Sequence, residues 1–131
     1  MKVLVDTSIW IAILRGEIKV DRISYRSYLT CGPIVQEVLQ GFDDDPASHR
    51  YADLFVNVPR LSDPLSSELF VNAADIYRQG RRRGLTIRSA ADCLIAAIAL
   101  ENDATLWHRD RDFDNIAQFT NLKVRRSLWT N

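Results

Sequence analysis

Short apolar runs alternate along this chain with longer segments whose apolar residues recur at helical spacing. The short runs predict strands at residues 2–5, 28–31, 56–61, 104–107 and 122–125. Helical spacing predicts helices that follow Asp6, begin at Pro33, begin at Pro46, run from Leu65 to about Arg83, and extend from Ser89 through Leu100. Residues 17–27 fit neither pattern. Because strands alternate with helices, we expect an α/β fold with a mostly parallel central sheet and helices on both faces.

Acidic residues adjoin several segments that this pattern predicts to be buried: Asp6, Glu37, Asp92 and Asp110. Asp6 and Asp110 each follow a predicted strand, and Asp92 begins the apolar helix that precedes the second of these strands. The carboxyl ends of parallel strands form the ligand-binding edge of an open sheet, so these three acids should face that edge together. A lone buried charge is costly, and hard cations prefer carboxylate ligands. A shared divalent cation would therefore explain the cluster.

Taken singly, each acid also has an ordinary explanation. Asp6 stands where a helix cap would lie, and Glu37 could be a solvated helix residue. Residues 89–92 (SAAD) have the form of a capping box, although that motif usually ends in Glu or Gln. The alternating charges of residues 109–112 are typical of a solvated loop. The pattern alone leaves these interpretations open.

Composition bounds the class of protein without identifying a ligand. A length of 131 residues predicts one domain, spanning 1–131. Lys plus Arg and Asp plus Glu each number 17, so the net charge is zero and a bulk basic nucleic-acid binder is disfavoured. Cys31 and Cys93 lack zinc-ligand spacing and should be buried thiols, while His49 and His108 should be surface or packing residues. The absence of a signal peptide and of an apolar stretch of transmembrane length predicts a cytoplasmic protein without membrane contact.

Four segments resemble the motifs of PIN domains, in order and at matching spacing over essentially the whole chain. They are residues 3–8 (VLVDTS), 34–41 (IVQEVLQG), 91–97 (ADCLIAA) and 107–113 (WHRDRDF). The small size without an added domain is similar to VapC-type toxins of toxin–antitoxin pairs. The resemblance implies a three-layer α/β/α PIN-like domain that acts as a metal-dependent endoribonuclease. It also implies a homodimer that is held inactive by an antitoxin whose tail enters the acidic groove.

The same resemblance implies which residues form the site. The implied catalytic residues, which would also ligate Mg²⁺ or alternatively Mn²⁺, are Asp6, Glu37, Asp92 and Asp110. Asp112 competes with Asp110 as the fourth acidic ligand. Asp110 is preferred because it lies nearer the end of the strand, and Asp112 is kept as an auxiliary acid. Thr7 would supply the small hydroxyl beside the first acid.

Such a site would activate a water for in-line attack on RNA, leaving 5′-phosphate and 3′-hydroxyl ends. Positive charge near the substrate phosphates could come from Arg81, Arg82, Arg83, Arg88, Arg109 and Arg111. The run at residues 81–83 is also typical of a helix carboxyl terminus, and these arginines could instead pair with antitoxin acids.

Two other functional classes compete with the nuclease. In a non-catalytic α/β binding module, the acids would be caps and surface charges. An acyl-phosphate phosphatase or receiver is disfavoured because position 8 is Ser and because no lysine follows Asp110 until Lys123. A P-loop nucleotide hydrolase is excluded, since the chain has neither a glycine-rich phosphate loop nor a Walker lysine.

Overall fold

The computed structural model describes residues 1–127, so the end of the predicted domain, residues 128–131, lies outside the described part of the chain. Strands and helices alternate within that part. The strands are β1 (Val3–Val5), β2 (Tyr28–Leu29), β3 (Thr105–His108) and β4 (Lys123–Arg126). The helices are α1 (Thr7–Leu14), α2 (Arg22–Tyr25), α3 (Gly32–Gln40), α4 (Pro46–Phe55), α5 (Ser67–Arg82), α6 (Ala90–Glu101) and α7 (Arg111–Ala117).

The four strands form one parallel sheet in the order β2-β1-β3-β4. β1 lies at its centre, where Val3 is opposite Tyr28 on one side and Val5 is opposite Trp107 on the other. Because every pairing is parallel, all carboxyl ends of the strands reach the same edge. The predicted parallel sheet and α/β/α architecture are confirmed.

Both faces of the central strand are covered by helices. Side chains at successive strand positions point to opposite faces, yet Val3, Leu4 and Val5 are all buried. Helix α6 is buried on nearly all sides, from Asp92 in its first turn to Ala99, so it runs through the core rather than along the surface. This burial is what carries the Asp92 carboxylate into the interior.

The predicted strand at residues 56–61 is wrong. An isolated bridge, with Thr30 opposite Arg60, lies in this segment in place of a regular strand. The Thr30 amide donates to the Pro59 carbonyl at 3.0 Å. Pro59 has no amide hydrogen and cannot donate a hydrogen bond to β2. The ladder between this segment and β2 therefore does not continue past the single bridge.

The helices differ from the sequence pattern in several places. Residues 17–27, which fitted neither pattern, contain the short helix α2. The charged residues 109–112 predicted a loop, but α7 begins there because Asp110 caps it. Helix α5 begins at Ser67 behind its cap Ser66 rather than at Leu65. Among the described residues, the structure contains no helix that is both long enough and apolar enough to cross a membrane.

Candidate functional site

The carboxyl ends of β1 and β3 bring two of the predicted acids to the same edge of the sheet. Asp6 follows β1, and its backbone amide donates to the Trp107 carbonyl in β3 at 3.0 Å. Asp110 lies two residues beyond the end of β3. Parallel pairing therefore makes Asp6 and Asp110 neighbours although more than a hundred residues separate them.

Two further acids reach this edge from helices. Asp92 lies in the first turn of α6, and one carboxylate oxygen from each of Asp92, Asp110 and Asp112 lies within 4.8 Å of the others. Glu37 projects from α3 and is exposed. Its Oε1 accepts a hydrogen bond from the Thr7 hydroxyl at 3.3 Å. The predicted acids thus converge from four separate segments of the chain.

A cavity of about 520 Å³ opens at this point, and we call it the acidic cavity. Its lining residues are Asp6, Thr7, Ser8, Ile11, Arg15, Glu37, Asp92, Arg109 and Asp110. Four of these side chains are carboxylates, so a ligand in the cavity would meet several acids at once. Arg15 was not among the residues that the sequence pattern singled out.

Helix capping does not account for the burial of Asp6 or Asp92. Asp6 occupies the cap position of α1, but its side chain makes no capping hydrogen bond. The Ser89 side chain makes none at α6 either, so the capping box suggested by residues 89–92 is not formed. Asp110 does cap its helix, because its Oδ1 accepts a hydrogen bond from the Asp112 amide at 3.0 Å.

Burial and mutual repulsion raise the pKa values of two aspartates in the acidic cavity. Burial raises the pKa of Asp6 to about 7, with further increases from Glu37 and Asp110 that the Thr7 backbone amide and Arg109 partly offset. Burial raises the pKa of Asp92 to about 8, helped by repulsion from the surrounding carboxylates. Both shifts favour the protonated form, so a cation at this point would restore the ionised state.

Asp110 and Asp112 differ in the partners that surround them. Asp112 is buried, and its Oδ2 accepts a hydrogen bond from the Arg88 amide at 3.0 Å. The Arg88 guanidinium also lies 3.7 Å from Asp112 Oδ1 and 3.5 Å from Asp110 Oδ1. Asp110 lines both the acidic cavity and the neighbouring one described below, whereas Asp112 lines only the neighbouring one.

A buried histidine lies beside the site. His108, predicted to be a surface or packing residue, is fully buried at the end of β3 and packs against Phe113, so the packing alternative holds. Its Nδ1 accepts a hydrogen bond from the Asp110 amide at 2.9 Å. Burial lowers the pKa of the imidazole below its usual range, although Asp114 opposes this effect. The sequence does carry a signal for this residue: it is a polar ring that ends a buried strand and lies two residues before an acid.

A second cavity, of about 690 Å³, adjoins the first, and we call it the basic cavity. It is lined by Thr86, Arg88, Arg109, Asp110, Arg111, Asp112, Asn115 and Arg126. The two cavities share Arg109 and Asp110 and are therefore adjacent. Of these arginines, Arg126 was not predicted, because β4 brings it to the site only through its pairing with β3.

The arginines at the end of α5 have different surroundings. Arg81 and Arg82 occupy its last turn, where cations suit the helix dipole. The Arg81 guanidinium lies 5.8 Å from the centre of the Tyr77 ring, and that of Arg83 lies 5.4 Å from the centre of the Phe119 ring. These contacts give the run at residues 81–83 a structural role of its own.

The donor atoms of the acidic cavity suit a hard divalent cation. The converging side chains offer carboxylate oxygens, which Mg²⁺ and Mn²⁺ accept as ligands. Cys31 and Cys93 are free and buried, as predicted. Burial raises the pKa of Cys31 to about 12 and that of Cys93 to about 11, so neither supplies a thiolate near neutral pH. The site therefore fits an oxygen-ligated metal and not a thiolate-ligated one.

Comparison with known sequences identifies the family. The family model of the PIN domain matches residues 3–118. The chain is 39% identical over 130 residues to Ribonuclease VapC11 of Mycobacterium tuberculosis (strain ATCC 25618 / H37Rv), covering 93% of this chain and 96% of that protein. It is 29% identical over 122 residues to Ribonuclease VapC18 of the same organism, covering 88% of each.

Solved structures share the fold. VapBC2 from Rickettsia felis, bound to a DNA fragment from its promoter, superposes with a TM-score of 0.75 at 17% identity, covering 96% of this chain and 98% of that one. VapBC-5 from Mycobacterium tuberculosis gives a TM-score of 0.69 at 17% identity, covering 97% and 100%. With the family model spanning nearly all of the described residues, the chain belongs to the PIN-domain family and, within it, to the VapC-type proteins.

Proposed function

We propose that this protein is a metal-dependent endoribonuclease and the toxin of a toxin–antitoxin pair. The observation that carries the proposal is the convergence of carboxylates from four separate segments on one accessible cavity. Buried acids with raised pKa values are costly to the fold, which supports a functional origin for the cluster. The similar protein VapC11 is named a ribonuclease.

The residues that would hold Mg²⁺ or Mn²⁺ are Asp6, Glu37, Asp92 and Asp110, with Asp112 as an auxiliary acid. When bound, the cation supplies positive charge and Lewis acidity for phosphodiester hydrolysis. Thr7 orients the Glu37 carboxylate through its hydroxyl. Arg88 holds Asp112 through its backbone amide and lies against Asp110, so it fixes the two neighbouring acids relative to each other.

RNA would approach through the basic cavity. Its arginines can neutralise phosphates on one side of the scissile bond, and the shared residues Arg109 and Asp110 connect it to the acidic cavity. His108 is fully buried and therefore cannot reach a substrate as a general base. A metal-activated water would hydrolyse the phosphodiester and leave 5′-phosphate and 3′-hydroxyl ends.

The partners in the proposal are a cognate antitoxin and a second copy of the chain, both in the cytoplasm. Structures of VapBC pairs support the antitoxin, whose tail would enter the acidic cavity. The support for a homodimer is an apolar cavity of about 520 Å³ between α5 and α6. Phe70 and Tyr77 line it, and they are exposed over 53% and 41% of their surface. A second copy would cover this apolar surface.

The test compares wild type with Asp92→Asn. Purified proteins are incubated with total RNA in Mg²⁺, in Mn²⁺ and in EDTA, and new 5′ ends are mapped. We expect cleavage by wild type with either metal, none in EDTA, and a loss of at least about 100-fold in the variant, since a metal ligand supplies several kcal/mol. Asp75→Asn on the outside of α5 is the matched control and should cleave normally. Metal-independent cleavage, or full activity of Asp92→Asn, would contradict the proposal.

A further inference from the structure

Among residues 1–127, the ring of His108 makes one well-formed hydrogen bond, and it goes to the backbone of a candidate metal ligand. The Asp110 amide donates to Nδ1 with the two nitrogens 2.9 Å apart. A nitrogen that accepts carries no hydrogen, so the neutral ring carries its hydrogen on Nε2. Phe113 packs edge-to-face against the ring, with 5.2 Å between the ring centres, and restricts its plane.

This hydrogen bond lies at the junction between β3 and α7. Asp110 is the cap of α7, and its amide points away from the helix, where it needs a partner outside the helical ladder. With that amide held by His108, the Asp110 Oδ1 accepts from the Asp112 amide at 3.0 Å. Two hydrogen bonds, one through the backbone and one through the side chain, thus restrain the Asp110 carboxylate, together with the Arg88 guanidinium 3.5 Å from the same oxygen.

The other ring nitrogen is held less well. Nε2 lies 3.2 Å from Asp114 Oδ1, but the two groups are not aligned for a hydrogen bond. The second oxygen of Asp114 is taken by Arg126 Nη1 at 2.8 Å. The geometry therefore gives the two nitrogens unequal roles, which an aromatic ring that only filled space would not have.

We propose that His108 is a positioning residue for the acidic site, which orients the Asp110 carboxylate through the Nδ1 contact and not through Nε2. The inference rests on the proposed function, because its consequence is measured as affinity for a divalent cation. Residues that orient metal ligands typically contribute about 10- to 100-fold to metal affinity. His108 would act in this way through the backbone of its ligand.

Asparagine and glutamine separate the two nitrogens. His108→Asn can place an amide oxygen near the position of Nδ1, so it keeps an acceptor for the Asp110 amide. His108→Gln reaches the position of Nε2 and leaves the Asp110 amide without that acceptor. His108→Leu removes both polar atoms and retains apolar bulk. His49→Gln on the exposed surface is the matched control for the glutamine substitution.

The measurement is Mn²⁺ affinity by titration calorimetry without RNA, with thermal unfolding recorded on the same samples. We expect His108→Gln and His108→Leu to bind about 10- to 100-fold more weakly, and His108→Asn to stay within about threefold of wild type. Equal losses in the asparagine and glutamine variants, or unchanged affinity in His108→Gln, would overturn the inference while leaving the proposed function standing. A wild-type protein that binds no Mn²⁺ would overturn both.

A second measurement does not depend on whether the variants fold. In ¹⁵N-labelled wild-type protein, long-range proton–nitrogen spectra report which nitrogen of His108 carries the hydrogen. A scalar coupling across the hydrogen bond between the Asp110 amide nitrogen and Nδ1 would support the inference. A hydrogen on Nδ1 would overturn it, because that nitrogen could not then accept.

Discussion

The Thr7 hydroxyl donates to the Glu37 carboxylate, with 3.3 Å between Thr7 Oγ1 and Glu37 Oε1. This contact links the first turn of α1 to the middle of α3, and both residues line the acidic cavity. Glu37 is exposed, so without such a restraint its long side chain would sample many rotamers. The Thr7 hydroxyl, which adjoins Asp6 in the sequence, therefore restrains the side chain of Glu37.

Removing that hydroxyl should weaken the site without changing the fold. Thr7→Val keeps the shape of the side chain but loses the donor, so Mg²⁺-dependent cleavage should fall by about fivefold, the equivalent of about 1 kcal/mol for one hydrogen bond. Thr7→Ser keeps the donor and should stay near wild type. The readout is the rate of RNA cleavage across a Mg²⁺ titration. If the serine and valine variants lost the same amount, the hydroxyl would not be the cause.

The raised pKa values predict how stability depends on pH when no metal is present. The ordinary pKa of an aspartate is 3.8, whereas Asp6 reaches about 7 and Asp92 about 8 in the folded protein. Between these values the folded state binds more protons than the unfolded state, so these groups lower the free energy of unfolding as the pH rises. In EDTA the melting temperature should therefore fall from about pH 5 to about pH 8.

Divalent cations should reverse this trend, because they bind the ionised carboxylates. Added Mg²⁺ or Mn²⁺ should raise the melting temperature more at the alkaline end than at the acidic end. Asp92→Asn should flatten the dependence in EDTA and respond less to either metal. Scanning calorimetry over a pH series measures both effects. A melting temperature that rose steadily with pH in EDTA would contradict the assignment of these shifts.

Asp110 and Asp112 should not be equivalent. Asp110 lines the acidic cavity, whereas Asp112 is buried against the Arg88 amide. Asp110→Asn should reduce Mn²⁺ affinity at least about tenfold, and Asp112→Asn should reduce it less, because its amide oxygen can still accept from Arg88. Titration calorimetry of the two variants compares them directly. The opposite order would make Asp112 the fourth ligand.

The two groups of arginines should differ in how they respond to salt. Each phosphate neutralised on single-stranded RNA contributes about −0.7 to the slope of log affinity against log salt. On the Asp92→Asn background, Arg109→Ala and Arg111→Ala should make the slope shallower, since both line the basic cavity. The triple alanine variant at residues 81–83 should leave it unchanged. A shallower slope in the triple variant would instead extend the RNA surface to the end of α5.

The apolar surface of α5 should control assembly. Phe70 is exposed over 53% of its surface beside the apolar cavity, so Phe70→Glu should convert the proposed dimer to a monomer. Leu54 on α4 is exposed over 65%, and Leu54→Glu is the matched control that should remain dimeric. Light scattering after size-exclusion chromatography distinguishes the two masses. A wild-type monomer would contradict the dimer, and dissociation of both variants would contradict the choice of surface.

Local patterns were enough for the strands and helices with strong periodicity. The apolar run before Asp6 and the apolar helix after Ser89 both formed as predicted, and Gly16 and Gly84 end their helices with φ values of 75° and 72°. Residues 56–61 were misassigned because a short apolar run has no period of its own, and Pro59 limits its pairing. Helix α7 was missed because its capping by Asp110 is a matter of side-chain geometry, which charge alternation does not reveal.

The sequence by itself determined that four acids follow or flank buried elements, and the order of the motifs identified the family. Only the tertiary structure decided which oxygens meet, since parallel pairing of β1 with β3 joins Asp6 to the region of Asp110 across most of the chain. It also decided the surroundings of each acid: Thr7 beside Glu37, Arg88 beside Asp112 and His108 behind Asp110. These contacts join residues through strand register, helix packing and side-chain direction, and none of these can be read from local spacing.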